Sequence, residues 1–286
     1  MEFDMIETNI KELRDPFVLV ENGVYYMYGT GWVCYKSDKD LAHWIKSEKE
    51  LVVIPDEYET NKWAPEVHKY NGSYYMFTTY FSSKTKRRGC TILKSEFPEG
   101  PFVEITNGHI TPNEWDSIDG TFYVDEENQP WMVFVHEWVS TDDNVGRMAA
   151  AKLSEDLTHF ISEPIELFRA DDPEWARAGV TDGCFMYKTK DNQLLMLWSN
   201  FNKDGYCVAI ARSKNGKVDG EWVHDEKLLF SKETFGQYDG GHGMIFTDVD
   251  GQMYLSIHSP NNPVGDRLEK PVIIPVFEEN GTIVIK

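Results

Sequence analysis

The sequence predicts an all-β fold, a five-bladed β-propeller with four antiparallel strands per blade. Three observations carry this. Five hairpin segments recur along the chain, a second motif follows four of them, and helical periodicity is nearly absent. The units begin near residues 15, 63, 116, 181 and 239, and the reading assigns residues 1–286 to one domain.

The first hairpin is DPFVLVENGVYYMYGT, from Asp15, and the second WAPEVHKYNGSYYMFTTY, from Trp63. The third, from Asp116, is DSIDGTFYVDEENQPWMVFVHEW; the fourth, from Thr181, is TDGCFMYKTKDNQLLMLWSN. The fifth begins at Asp239 and reads DGGHGMIFTDVDGQMYLSIHSPN. Each pairs a short apolar strand with one rich in aromatic and β-branched residues across a tight turn. Asn-Gly or Asp-Gly between such runs is the strongest short-range hairpin signal. The second motif supplies strands three and four: CYKSDKDLAHWI, CTILKSEFPEGPFVEI, AAAKLSEDLTHFI and CVAIARSKNGKVDGEWV. The last unit closes with KPVIIPVFEENGTIVI. Cys34, Cys90 and Cys207 fall on third strands of different blades and, with Cys184, read as small buried thiols rather than a disulfide or zinc framework.

Charge narrows the partners. Asp and Glu number 48 against 28 Lys and Arg, a net charge of −20. Such a field repels phosphate backbones and anionic membrane surfaces, so neither nucleic acid nor membrane is an expected partner. No run of 18 apolar residues occurs. The segment MEFDMIETNIKELRDP lacks the basic and apolar stretches of a secretory signal. With Met1 as the native start, this reading expects a cytoplasmic location. Nothing in the sequence specifies an oligomeric state.

In a propeller, the inner strands of all blades run in the same sense, so their opening residues converge at one mouth of the channel. Here those are Asp15, Glu66, Asp119, Asp182 and His242. Second strands finish at the same mouth and deliver Trp32, Tyr80, His136, Glu137, Trp138, Trp198, Asn200 and His258. Grouped carboxylates are electrostatically costly, and nothing in the fold requires them. An acidic well rimmed by aromatics suits a sugar, whose apolar face stacks while its hydroxyls take directed hydrogen bonds. Trp63, Glu66, His136, Glu137, Trp138, Trp198 and His258 are therefore the expected substrate contacts. The basic run Lys84-Lys86-Arg87-Arg88 reads as a solvated loop of blade two.

The run Arg14-Asp15-Pro16, then Trp63-Ala64-Pro65-Glu66-Val67, then Ile118-Asp119-Gly120, with a later Gly241-His242-Gly243, resembles glycoside hydrolase family 43 in order and spacing. The resemblance covers essentially the whole chain. It implies an inverting glycosidase for arabinose- or xylose-containing oligosaccharides, an α-L-arabinofuranosidase or β-xylosidase. By the same resemblance, Asp15 matches the general base and Asp119 the carboxylate that orients the acid and adjusts its pKa. The family's acid is usually a Glu before Gly-Pro on blade four. This chain has Thr181-Asp182-Gly183-Cys184 instead. Asp182 and Glu137 both remain candidates for the acid. A histidine at the place of His242 lines the axial channel in the family, next to a calcium or another ion. The mechanism itself needs no cofactor.

A cytoplasmic location favours short imported oligosaccharides, and so an exo-acting enzyme. The competing reading is a propeller that binds glycans without cleaving them. A WD-type protein scaffold is disfavoured, because its repeat signatures are missing.

Overall fold

A computed structural model describes residues 5–235 and 237–286. The architecture is the expected all-β five-bladed propeller. Residues 1–4 and 236 of the predicted domain lie outside the described residues.

Blade one pairs Phe17–Glu21, Val24–Gly29, Val33–Ser37 and Ile45–Lys46, each antiparallel to the last. The Asn22-Gly23 turn between its first two strands takes positive φ at both residues, the backbone that matches strand twist in a two-residue hairpin. Blade two is Tyr58–Tyr70, Ser73–Ser82, Arg88–Ser95 and Val103–Glu104; its Asn71-Gly72 turn repeats the geometry. Blade three comprises Ser117–Val124, Pro130–His136, Arg147–Lys152 and Ile165–Arg169. Blade four follows with Asp182–Lys188, Leu194–Asn202, Gly205–Ser213 and Trp222–His224.

Blade five is closed differently from the sequence reading. Its strands Gly241–Thr247, Met253–Ser259 and Lys270–Glu279 follow the repeat, but its outer edge has two sources. Thr282–Ile285 pairs with one half of Lys270–Glu279, and Ile6–Glu7 from the start of the chain pairs with the other, Ile6 opposite Ile273. The first and last blades are thereby stapled through one sheet. Two residues carry no periodicity, so this strand had no signature in the sequence.

The inner strands touch their neighbours in a closed ring. Apolar side chains pack between adjacent blades rather than in one central mass. Val133, Met148, Met196 and Trp198 fill the space between blades three and four, and Leu197, Ile210, Leu255 and Ile274 that between four and five. All four cysteines are buried and free. Because each blade is held by its two neighbours, the inner strand ends are rigid supports for whatever lies at the channel mouth.

Candidate active site

The backbone sets the site. Four of the five inner strands carry a one-residue bulge near their start, between Trp63 and Glu66, Ile118 and Thr121, Asp182 and Phe185, and Gly241 and Met244. Inside each bulge sits one residue with left-handed backbone: Ala64 (φ 40°), Asp119 (55°), Gly183 (56°) and His242 (54°). Asp15 (φ 56°) takes the same conformation ahead of blade one. Left-handed φ disfavours most residues and is best tolerated by Gly, Asn, Asp and His. Bulges re-aim side chains, and three of these five are Asp15, Asp119 and His242.

This corrects the predicted ring of opening residues. The structural equivalents are Asp15, Ala64, Asp119, Gly183 and His242, so Asp182 lies one residue before its blade's bulge position and Glu66 two residues after. At Gly183 a side chain is excluded, since an added Cβ would sit 2.8 Å from His242 Cα.

Arg14, Asp15, Thr30, Trp63, Ile118, Asp119, Glu137, Trp138, Asp182, Tyr206 and His242 line one cavity of about 420 Å³. That falls within the range of small-ligand pockets, about 300–1,000 Å³. His242 Nδ1 lies 3.2 Å from Asp15 Oδ1 and 3.8 Å from Asp119 Oδ2. Thr30 donates its hydroxyl to Asp15 Oδ2 and accepts the Ala64 N–H at 3.0 Å. Asp15 N–H donates to His258 Nδ1 at 3.3 Å, and His258 Nε2 meets Asn261 Oδ1 at 3.2 Å. Burial pushes the His258 imidazole down to about 4, so it is neutral, with Nδ1 as acceptor and Nε2–H as donor. Its 3.4 Å approach to Asp15 Oδ1 is therefore no ion pair.

Burial alone would raise Asp15. The His242 imidazolium, Arg14 and the Thr30 hydroxyl outweigh it and hold the carboxyl below its ordinary value. His242 is itself raised, because Asp15, Asp119, Asp182 and Glu66 overcome the burial that works against its charge. Asp182 goes the other way: burial first, then the nearby Asp119 charge, push it up to about 8. Asp119 is also raised by burial. Yet Asp119 Oδ2 accepts the Gly183 N–H at 2.9 Å and faces His242, so it is the member of this pair that carries the negative charge. Tyr206 meets Asp182 Oδ2 through its hydroxyl at 3.1 Å.

Glu137 occupies the same cavity in a different setting. Burial raises its carboxyl, and Arg88 Nε, binding it at 2.7 Å, offsets this only in part. Arg87 and Arg88 also hold Asp116, through Arg87 Nη1 at 2.6 Å and Arg88 N–H at 3.0 Å. The run 84–88 is thus not a free solvated loop. Lys84 and Lys86 pair with Glu57 and Glu59, and its two arginines brace Glu137 in the cavity wall and Asp116.

Trp63, Glu137 and Trp138 line the cavity as expected. Other predicted contacts do not. Trp198 is fully buried against Phe168, Trp175 and His224. His136 is buried and stacks on Trp115 at 3.9 Å with rings parallel within 2°. His258 is sealed behind Asp15. Glu66 points down the channel to His68 Nε2 at 3.0 Å and reaches the site only through its field. Trp32 and Tyr80 are buried packing residues, and Asn200 holds the Ala170 and Ala178 carbonyls. Two cavity residues had no place in the sequence reading, Thr30 and Tyr206. Both stand where a second strand has just ended or a third begins, at the same mouth, and that position was the available signal.

The expected ion site can be tested against its donors. His242 Nδ1 is turned to Asp15, and among the described residues no three His, Cys, Asp or Glu side chains converge as a metal-binding group. The side chains present do not fit a cation held by protein ligands alone.

Comparison with known proteins agrees with the fold and with these motifs. The sequence pattern of glycosyl hydrolases family 43 matches residues 9–282. This chain belongs to glycoside hydrolase family 43. The family member is similar to an endo-arabinase from Bacteroides thetaiotaomicron, at 36% identity over 98% of this chain and 99% of that one, with a TM-score of 0.84. An endo-1,4-beta-xylanase structure from the same organism is 25% identical, covering 98% and 96% of the two chains at a TM-score of 0.81. The extracellular endo-alpha-(1->5)-L-arabinanase 1 of Bacillus subtilis is 25% identical over 146 residues, which is 44% of each protein. The match thus spans less than half the length of that curated relative.

Proposed function

We propose that this family 43 protein hydrolyses arabinan, cleaving α-L-arabinofuranosyl linkages within the chain with inversion at the anomeric carbon. The observation that carries the reading is the opposed environment of two carboxyls on one cavity, Asp15 buried and Asp182 half-buried. Asp15 is held ionised and Asp182 protonated. Pairs of titratable groups pushed apart in this way divide the roles of base and acid.

In the proposed reaction, a water beside Asp15 attacks the anomeric carbon as the carboxylate takes its proton. Asp182 gives its proton to the leaving glycosidic oxygen. The two carboxyls need a separation of about 6.5–9.5 Å to admit the water. Asp119 keeps the acid protonated by like-charge repulsion, and His242 keeps the base ionised. Trp63 and Trp138 offer apolar faces for furanose rings. Side chains and water suffice, with no cofactor.

Arabinan as substrate is supported by the 36% identical endo-arabinase, and internal cleavage by the same relative. The exo-acting expectation rested on an inferred compartment alone. A second reading, xylan or a β-xyloside as substrate, is favoured by the likeness to the xylanase. The test is incubation with linear arabinan and with xylan. Early release of mixed arabino-oligosaccharides with inverted anomeric configuration in proton NMR supports the proposal. Arabinose alone points to exo action, xylose products to the second reading, and no product from any glycan to a binding propeller. Retained configuration rejects Asp15 as base.

A further inference from the structure

We infer that Tyr206 is a positioning residue that fixes which oxygen of Asp182 carries the transferable proton, an inference that rests on Asp182 being the general acid. Tyr206 is buried at the start of the third strand of blade four and reaches Asp182 Oδ2 at 3.1 Å. A phenol can donate or accept in such a contact. Among the described residues its hydroxyl has no other hydrogen-bond partner. If Asp182 donated to it, the phenolic O–H would have no acceptor among the described residues. Tyr206 therefore donates to Oδ2, and the acid's proton resides on Oδ1.

The phenol is locked in place from several directions. Its ring stacks near His258 at 5.7 Å and 24°, and Phe201 packs on it at 5.1 Å. The Tyr206 N–H donates to Asp239 Oδ2 at 3.0 Å. Gly241 leaves the room for the ring, since a Cβ there would sit 2.4 Å from Tyr206 Cε1. This explains the first glycine of Gly241-His242-Gly243 by packing. With Asp rather than Glu on blade four, the carboxyl has one less torsion to settle, and a single donor fixes its plane.

The other titratable groups facing Asp182 are Asp119, His242 and Asp15, with Arg14 and His258 beside Tyr206. None of these changes in Tyr206→Phe, which keeps the ring and deletes only the donor. The donated bond favours ionised Asp182, so its loss moves the alkaline limb of kcat/KM upward.

The experiment compares Tyr206→Phe, Gly241→Ala and Asp182→Ala on an arabino-oligosaccharide and on an aryl arabinofuranoside with an acidic phenol. General acid help amounts to about 10²–10⁴ in rate. Losing only its orientation in Tyr206→Phe should lower kcat on the oligosaccharide by about 10–100-fold and on the aryl substrate by less than about threefold. KM should hold, and Gly241→Ala, which displaces the ring but keeps the hydroxyl, should follow the same pattern. An equal fall on both substrates with an unmoved alkaline limb, while Asp182→Ala keeps its leaving-group dependence, overturns the role of Tyr206 and spares the acid. If Asp182→Ala itself lacks that dependence, the acid assignment fails and this inference with it.

Discussion

The two sides of the cavity both desolvate a carboxyl, Asp15 buried and Asp182 half-buried, and charge them oppositely. On the blade-one side, Asp15 meets an imidazolium, a guanidinium nearby and a hydroxyl donor, and stays below its ordinary value. On the blade-four side, Asp182 meets a second carboxyl and a neutral phenol, and rises to about 8. Desolvation works against the charge of both, so neighbours decide the difference. Glu137 on blade three is also raised, because burial outweighs its cation, but it has Arg88 at 2.7 Å where Asp182 has only Tyr206. With that guanidinium beside it, Glu137 is the less suited of the two to keep a proton for a leaving group.

The comparison can be broken first at the base. Asp15→Ala should lower kcat/KM by about 10²–10⁴ on every substrate, since water must be activated whatever leaves. An aryl glycoside panel that shows loss only with poor leaving groups would place Asp15 on the acid's side instead. His242→Gln removes the cation that holds Asp15 ionised. The acidic limb of the rate profile should then rise by about one to three pH units, read from kcat/KM between pH 3 and 7. An unmoved limb would mean that Arg14 and Thr30 suffice.

Much of this arrangement was legible in the chain. Asn22-Gly23, Asn71-Gly72 and Asp250-Gly251 marked hairpins, and their recurrence marked blades. Asp15, Asp119 and His242 stood out as polar residues before apolar strands, because left-handed bulges accept such residues. The phase of blade four was not legible, since sequence shows no φ and only the bulge reveals that Gly183, not Asp182, is the counterpart of Asp15. Trp198 looked like a sugar platform because an aromatic at a strand end reads the same whether it faces a cavity or a neighbouring blade. Thr30, Tyr206 and Arg88 were missed or misread because their partners lie on other blades, at separations local pattern does not register.

Smaller effects sharpen the contrast. Glu137→Gln should cost less than about tenfold and show no dependence on the leaving group, well short of the 10²–10⁴ typical of a general acid. Steady-state rates on good and poor leaving groups check this. Stability should move as well. Asp182 takes its proton at about 8 when folded against an ordinary 3.8. Between those values the unfolded chain holds fewer protons, so stability falls as pH rises. Asp182→Asn removes that burden and should be more stable than wild type, by little at pH 4 and by about 0.5–2 kcal/mol at pH 8. Thermal denaturation at the two pH values gives the answer.

The assignment of Asp182 as acid and Asp15 as base is tested most directly by the pH dependence of kcat/KM on an aryl arabinofuranoside whose weakly acidic phenol still needs protonation to leave. Wild type should lose rate as pH rises through about 8, where Asp182 gives up its proton. Asp182→Ala, slower but still measurable on this substrate, should show no alkaline limb, while Glu137→Ala should keep it. An alkaline limb that survives in Asp182→Ala and disappears in Glu137→Ala would contradict the account and move the acid to blade three.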